Sequence, residues 1–188
     1  MTDRQAQHEP TASRADVFLG KVIDPGLAWA TADVGGALSR PAARRFLLAI
    51  AIQETALTDR AQRLAGGAAG PARGWWQFEQ PTIGLLLAHR VSGDALRRLC
   101  ASAWVRPEPA AIWRAIEGHD LLAVGVARLL MLTDPYPVPE TEAAAWQCYA
   151  LRLWRPGKPH PGKWPDAWRV AGAAVVADAA RAAEAGKQ

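Results

Sequence analysis

The feature that most constrains this fold is a nearly unbroken succession of helix-forming segments, with one glycine-rich stretch between them. Alanine, leucine and arginine dominate, and runs of β-branched residues are scarce, which favours helix over strand. Residues 58–79 are the one place that suits a small β-hairpin, because glycines there allow tight turns. The pattern predicts a mainly α-helical fold with at most one small β-hairpin.

Prolines divide the helical part of the sequence into separate segments. Ser39 with Pro41 marks the start of the third helix as N-cap and first-turn proline. Proline-rich connections at residues 134–140 and 155–165 end the helices on either side, because proline lacks a backbone N–H. The predicted helices cover residues 14–23, 25–34, 40–57, 81–90, 94–104, 108–117, 120–132, 140–153 and 165–185.

The chain of 188 residues suits one domain. We expect residues 1–13 to form a flexible polar arm and residues 14–188 a single domain. The N-terminus lacks the apolar core of a secretory signal. The longest apolar run, which starts at Leu121, is short and contains Arg128, so no stable membrane insertion is expected. The sequence predicts a protein that stays in the cytoplasm or leaves it without a signal peptide.

The charge of the chain suits an anionic partner without identifying one. A formal net charge of +4 is compatible with a cell-wall polymer, a nucleic acid or a membrane surface. Lysine and arginine are dispersed and match no nucleic-acid-binding motif, which argues against nucleic acid. Cys100 and Cys148 form no CxxC motif or Cys/His cluster, so we expect two free thiols and no metal.

A glutamate on an apolar helix face is the best candidate for acid chemistry. Glu54 follows Leu47 and Ile50 on the buried stripe of the third helix, near its C-terminus. Burial and the helix dipole would both raise its pKa, as a general acid requires. The alternative is a buried ion pair with Arg44 or Arg73.

A glycine-rich segment with two tryptophans follows that helix. Residues 70–81 read GPARGWWQFEQP, which sets Trp75 and Trp76 beside Gln77 and Glu79. Aromatic rings next to polar side chains suit a groove for a ligand with flat apolar faces and hydroxyl edges, such as a sugar chain. A nucleic acid or a structural turn would also account for the segment.

Three motifs follow one another in a characteristic order: AIAIQETAL, GPARGWWQFE and AAAWQCYALRLWRPGKP. Together, over residues 40–165, they resemble the lysozyme-like superfamily, in particular the peptidoglycan lytic transglycosylase and goose-type lysozyme branch found in bacteriophage proteins. The resemblance implies an α+β lysozyme-like fold, in which a helical bundle surrounds a substrate cleft.

The resemblance assigns roles to individual residues. Glu54 matches the catalytic acid, and Gly74 to Gln77 match a Gly-x-x-Gln motif. Thr55 stands where the family usually has serine, and Cys148 where it usually has asparagine before the tyrosine. The residues implied to bind substrate are Gln77, Trp75, Trp76, Tyr149, Thr55 and Glu79, with one of the two tryptophans facing the cleft.

The implied activity is cleavage of the MurNAc–GlcNAc β-1,4 bond of peptidoglycan, with Glu54 as general acid and base. A hydrolytic lysozyme needs a second carboxylate or an activated water, for which Asp59 and Glu79 are candidates by sequence proximity alone. The lack of a clear partner favours a lytic transglycosylase. Neither a metal nor another cofactor is implied.

The resemblance also implies a setting. A phage or prophage protein of this kind is made in the bacterial cytoplasm and acts in the cell wall or periplasm, as a lysis enzyme or as part of the phage particle. Its partners would be peptidoglycan glycan strands and, in the particle, other virion or tail proteins. The alternative is a catalytically inactive lysozyme-like structural module of a phage tail or virion.

Overall fold

The computed structural model describes residues 11–64 and 66–187, and it confirms the predicted mainly α-helical fold with one small hairpin. The α-helices are α1 (Thr11–Phe18), α2 (Asp24–Val34), α3 (Pro41–Thr55), α4 (Gln80–Ala88), α5 (Gly93–Ser102), α6 (Pro109–Ala115), α7 (Asp120–Met131), α8 (Glu142–Gln147) and α9 (Trp164–Ala185). Two π-helical turns (Leu19–Ile23 and Cys148–Leu153) and one 3-10 turn (Pro161–Lys163) complete the helical structure. Most of the predicted arm lies outside the described residues.

The first two predicted helices form one continuous helical run, although the sequence predicted a break between them. The π-helical turn Leu19–Ile23 connects α1 to α2, and Pro25 falls in the first turn of α2. The wider π-helical turn accommodates a proline, whose nitrogen carries no hydrogen to donate to the helix. Gly26 then packs α2 tightly onto α7, because a Cβ atom there would lie 2.5 Å from Cβ of Val124.

Helices α3 and α7 form the centre of the protein. Every residue of α7 from Leu122 to Met131 is buried, and α3 buries all positions from Phe46 to Ala51. Helix α9 packs against α3, and α2 packs against α7. This packing holds the C-terminal turn of α3, which carries Glu54, at the edge of the core.

The glycine-rich stretch forms the predicted hairpin. Strand β1 (Ala61–Arg63) pairs antiparallel with β2 (Ala69–Arg73), with Ala61 opposite Arg73. After β2, Arg73 and Phe78 exchange backbone hydrogen bonds of 3.0 and 2.9 Å, which closes a tight turn over residues 74–77. This turn leads directly into α4.

The turn depends on glycine at its first position. Gly74 has φ +73°, and a Cβ atom there would lie 2.8 Å from the carbonyl oxygen of Ile116. Both the backbone conformation and the available space exclude a side chain.

Cys100 and Cys148 are both free and buried. Among the helices in the described ranges, none combines the length and apolar character needed to span a bilayer.

Candidate active site

A cleft of about 1380 Å³ opens beside the C-terminal end of α3. Its walls come from β1, the turn after β2, α4, the connection after α7 and the segment after the π-helical turn Cys148–Leu153. Glu54 lines this cleft together with Gln77, Glu79 and Tyr149. The fold therefore brings four of the seven predicted site residues to one surface.

Glu54 is a carboxyl group that can be protonated at neutral pH. Burial raises the pKa of Glu54 to about 7, and a hydrogen bond from Tyr149 acts in the opposite direction. The Tyr149 hydroxyl donates this bond to Oε1 of Glu54 over 2.7 Å. An acid with a pKa near neutrality populates both the protonated and the ionised form under ordinary conditions, as general acid–base catalysis requires.

The ion-pair alternative for Glu54 is wrong. Arg44 does not line the cleft and pairs with Asp24 at 2.7 Å and also with Asp178. Arg73 pairs with Glu117 at 2.8 Å. Within the described part of the chain, no lysine or arginine forms an ion pair with Glu54, so burial dominates its electrostatics.

Tyr149 is held in place by stacking. Its ring lies parallel to that of Trp164, with centroids 5.1 Å apart and an interplanar angle of 2°, and Trp146 lies 5.7 Å away. Burial, reinforced by Glu54, raises the pKa of Tyr149, so the hydroxyl keeps its proton and donates to Glu54. Tyr149 is therefore in the cleft, as predicted, with its hydroxyl committed to the acid.

The chain leaves α3 through two strained residues. Ala56 and Leu57 have φ values of +48° and +57°, a left-handed conformation that costs roughly 1–2 kcal/mol for each non-glycine residue. Such strain clusters at functional sites, where packing maintains it. Here the left-handed conformation of Ala56 ends the helix directly after Thr55, the residue that follows Glu54.

The structure does not place Thr55, which the resemblance assigned to substrate binding, on the surface of the cleft. Thr55 is buried. Its hydroxyl donates to the carbonyl of Ala51 over 2.8 Å and accepts from the N–H of Leu57 over 3.2 Å. The side chain therefore stabilises the end of the helix and has no hydrogen available for a ligand.

The expectation that Trp75 or Trp76 faces the cleft is also wrong. Trp76 is completely buried, and its indole N–H donates to the carbonyl of Leu47 over 2.9 Å. Trp75 donates to Asp120 over 3.0 Å and packs edge-on against Phe18 at 5.1 Å. The tight turn directs both indoles toward the helices, and neither lines the cleft.

Gln77 and Glu79 do line the cleft, as predicted. Gln77 has φ +49°, and its side-chain amide donates to the carbonyl of Gly74 over 2.8 Å. Glu79 precedes α4 and is exposed to solvent. Asp59, the other candidate for a second carboxylate, is exposed and lies outside the cleft.

The aromatic and apolar surface of the cleft comes from residues that the sequence analysis did not single out. Trp154 lines the cleft, packs 5.8 Å from Phe78, and donates its indole N–H to the carbonyl of Trp76 over 3.1 Å. Tyr136 and Leu85 line it too and are largely exposed, at 63% and 67%. Trp154 lies in the third motif, directly before the proline-rich connection that starts at residue 155.

A third carboxylate of the cleft, Asp134, was also missed. Its side chain is only 3% exposed and pairs with Arg152, Nε to Oδ2, at 2.9 Å. The same oxygen accepts a hydrogen bond from Sγ of Cys148 over 3.1 Å. Burial, with Asp134 nearby, raises the pKa of Cys148 to about 12, so the thiol stays protonated. The contacts with Arg152 and Cys148 therefore engage one carboxylate oxygen of Asp134.

A shallower groove of about 1020 Å³ runs along α9. Its floor includes Trp168, over which the Arg45 guanidinium lies at 3.9 Å. Its carboxylates, Glu142 and Asp166, are both exposed, and Asp166 pairs with Arg169 at 2.6 Å. The cleft at Glu54 holds a buried carboxyl group with a raised pKa and is therefore the better candidate for an active site.

The described residues contain no group of three or more histidine, cysteine, aspartate or glutamate side chains placed to hold a metal ion. Comparisons with family models, with curated proteins and with solved structures find no match to this chain.

Proposed function

We propose that this chain is a peptidoglycan-cleaving muramidase that cuts the MurNAc–GlcNAc β-1,4 bond as a lytic transglycosylase. The observation that carries the proposal is the carboxyl group of Glu54, which titrates near neutrality at the wall of an open cleft. The cleft adds the half-buried indole of Trp154 and the exposed ring of Tyr136, which suit the flat faces of sugars. The motif order described above supplies the choice of glycan.

In the proposed reaction the protonated Glu54 gives its proton to the glycosidic oxygen as the bond to the muramyl carbon breaks. Positive charge develops on that sugar ring. The ionised Glu54 then takes the proton from the 6-hydroxyl of the same sugar, whose oxygen closes a 1,6-anhydro ring. Glu54 thus regains from the 6-hydroxyl the proton that it gave to the glycosidic oxygen. Its pKa near 7 suits both proton transfers.

The other carboxylates of the site support this choice over hydrolysis. Ordinary retaining and inverting glycosidases use two carboxyl groups that face the scissile bond. Asp59 lies outside the cleft and Asp134 is bound to Arg152, which leaves the exposed Glu79 as the remaining candidate. A mechanism that needs only Glu54 is the simplest one that these side chains support.

The motif resemblance extends the proposal to a phage or prophage setting. The protein would be made in the bacterial cytoplasm and would act in the cell wall or periplasm, either at lysis or as part of the phage particle. In the particle it would contact other virion or tail proteins. The alternative, an inactive lysozyme-like module of a tail, makes the opposite prediction for enzymatic activity.

The test is the release of soluble fragments from purified, dye-labelled peptidoglycan sacculi. Wild-type protein should release dye, and Glu54→Gln should lower the rate by at least about 100-fold, the typical value of general acid catalysis. Glu79→Gln changes a carboxylate of the same cleft and is the matched control, with an expected loss of less than about tenfold. No release by the wild type would leave the inactive module as the better explanation.

A further inference from the structure

The segment Arg155–His160 forms one wall of the cleft and carries its unpaired cations. Arg155 and Lys158 are exposed and line the cleft. Within the described ranges neither forms an ion pair. Arg152, which precedes this segment and also lines the cleft, forms an ion pair with Asp134 at 2.9 Å. The wall therefore offers two positive charges that no described carboxylate satisfies.

Both ends of this segment are fixed to neighbours of the catalytic acid. The backbone N–H of Arg155 donates to the carbonyl of Tyr149 over 3.1 Å. At the other end, the side-chain amide of Gln53 donates to the carbonyl of His160 over 3.0 Å. Tyr149 holds the carboxyl group of Glu54, and Gln53 precedes it in the chain, so the segment spans the site of proposed chemistry.

The backbone of the segment is also restricted. Arg155 has φ +44°, a left-handed conformation that is unfavourable for a non-glycine residue. Pro156 and Pro159 each lock one φ angle, which lowers the conformational entropy that ligand binding would cost. Strain of this kind is retained where it positions a side chain, and here it positions a guanidinium group at the cleft.

From these contacts we infer that Arg155 and Lys158 recognise carboxylate groups carried by the glycan substrate. The inference rests on the proposed function and assigns to these two residues the discrimination of anionic peptidoglycan from a neutral β-1,4 glycan such as chitin. A guanidinium group binds a carboxylate through two parallel hydrogen bonds, and an ammonium group adds a point charge. Peptidoglycan presents carboxylates on its peptide stems and, when the stems are removed, on the lactyl groups.

Binding by a catalytically silent protein tests the inference separately from the reaction. Glu54→Gln protein is sedimented with intact sacculi and with chitin, and its binding to the soluble glycan strands that remain after the peptide stems are removed is measured by titration calorimetry. Adding Arg155→Gln and Lys158→Gln should weaken binding to intact sacculi by about tenfold, from two partly exposed charge contacts. Binding to chitin should change by less than about twofold.

The matched control removes two charges elsewhere. Arg106→Gln with Lys163→Gln, in the same Glu54→Gln background, lowers the net charge equally at exposed positions outside the cleft. It should bind sacculi as the parent does, and raising the salt concentration should reduce the difference between the two double variants. Circular dichroism spectra that match the parent establish that each variant is folded.

The outcomes separate the inference from the proposed function. A loss confined to intact sacculi assigns the carboxylate to the peptide stem, and a loss that extends to the stem-free strands assigns it to the lactyl groups as well. Equal binding by the two double variants, or an equal loss on chitin and on sacculi, would overturn the inference. Cleavage of sacculi by the wild type is scored independently, so the proposed function can stand or fall by itself.

Discussion

Replacing the proposed catalytic acid should make the protein more stable, by an amount that grows with pH. Burial raises the pKa of Glu54 from 4.5 to about 7, so the folded state disfavours the ionised form. At about 1.4 kcal/mol per pH unit, this corresponds to about 3 kcal/mol of free energy of unfolding. Glu54→Gln removes the ionisation while its amide oxygen can still accept the hydrogen bond from Tyr149.

The direction in which stability changes with pH follows from the proton that Glu54 binds in the folded state. Between pH 4.5 and 7 the folded protein holds a proton on Glu54 that the unfolded chain has lost, so wild-type stability falls as pH rises through this range. The contribution is fully present below pH 4.5 and is lost above pH 7. Glu54→Gln should match the wild type near pH 4 and exceed its free energy of unfolding by about 3 kcal/mol near pH 8.

The assay is urea denaturation of both proteins at several values of pH from 4 to 8.5. Midpoints should diverge while the slopes stay equal, which assigns the change to stability alone. Glu79→Gln is the control, because it makes the same substitution at an exposed carboxylate of the same cleft. A Glu54→Gln variant that is less stable than the wild type at pH 8 would refute the reasoning.

Three further predictions concern residues around the site. Tyr149→Phe removes a hydrogen bond that lowers the pKa of Glu54, so the alkaline limb of the pH–activity profile should move to higher pH, and an unmoved limb would contradict this. Trp76→Ala should cost about 3–5 kcal/mol in urea denaturation, because the indole is completely buried; a cost below about 1 kcal/mol would argue against a core role. Gly74→Ala should cost at least about 1 kcal/mol in the same assay, because φ is +73° and the added Cβ meets a backbone carbonyl oxygen, and a neutral result would show that the turn can rearrange.

Local sequence information was enough to predict most of the helices and the hairpin, and to identify Glu54 as a carboxyl group at the apolar end of α3. Helical periodicity and proline positions act over a few residues, which is why α3 could be placed at Pro41–Thr55 to within two residues of its prediction. Glu54 was identified because a carboxyl group on an apolar stripe conflicts with that local pattern. The structure adds its hydrogen bond to Tyr149, 95 positions away in the chain.

The orientation of the tryptophans could not be predicted in the same way. Whether Trp75 and Trp76 face the cleft depends on the left-handed backbone of Gly74 and Gln77, and on the carbonyl of Leu47, which receives one indole N–H. These are tertiary contacts that no spacing along the chain encodes. The tryptophan that does line the cleft is Trp154, and no local pattern along the chain indicates this position.

The Asp134–Arg152 pair was missed for a related reason. The two residues are 18 positions apart, one before α8 and one after it in the chain. Their contact at 2.9 Å therefore follows from the way the connection after α7 folds back. Thr55 shows the converse. Its hydroxyl was predicted to be available to a substrate. The backbone groups at a helix end need hydrogen-bond partners, however, and the Thr55 hydroxyl bonds to the carbonyl of Ala51 and the N–H of Leu57 instead.

Mass spectrometry of the products formed from purified peptidoglycan tests the central claim most directly, because it identifies both the bond that is cut and the fate of the muramyl carbon. Wild-type protein should release fragments that end in 1,6-anhydro-muramyl residues, and Glu54→Gln should release none above background. Reducing muramyl ends would replace the transglycosylase step by hydrolysis. Glycan strands left intact by the folded wild-type protein would contradict the claim that Glu54 cleaves peptidoglycan.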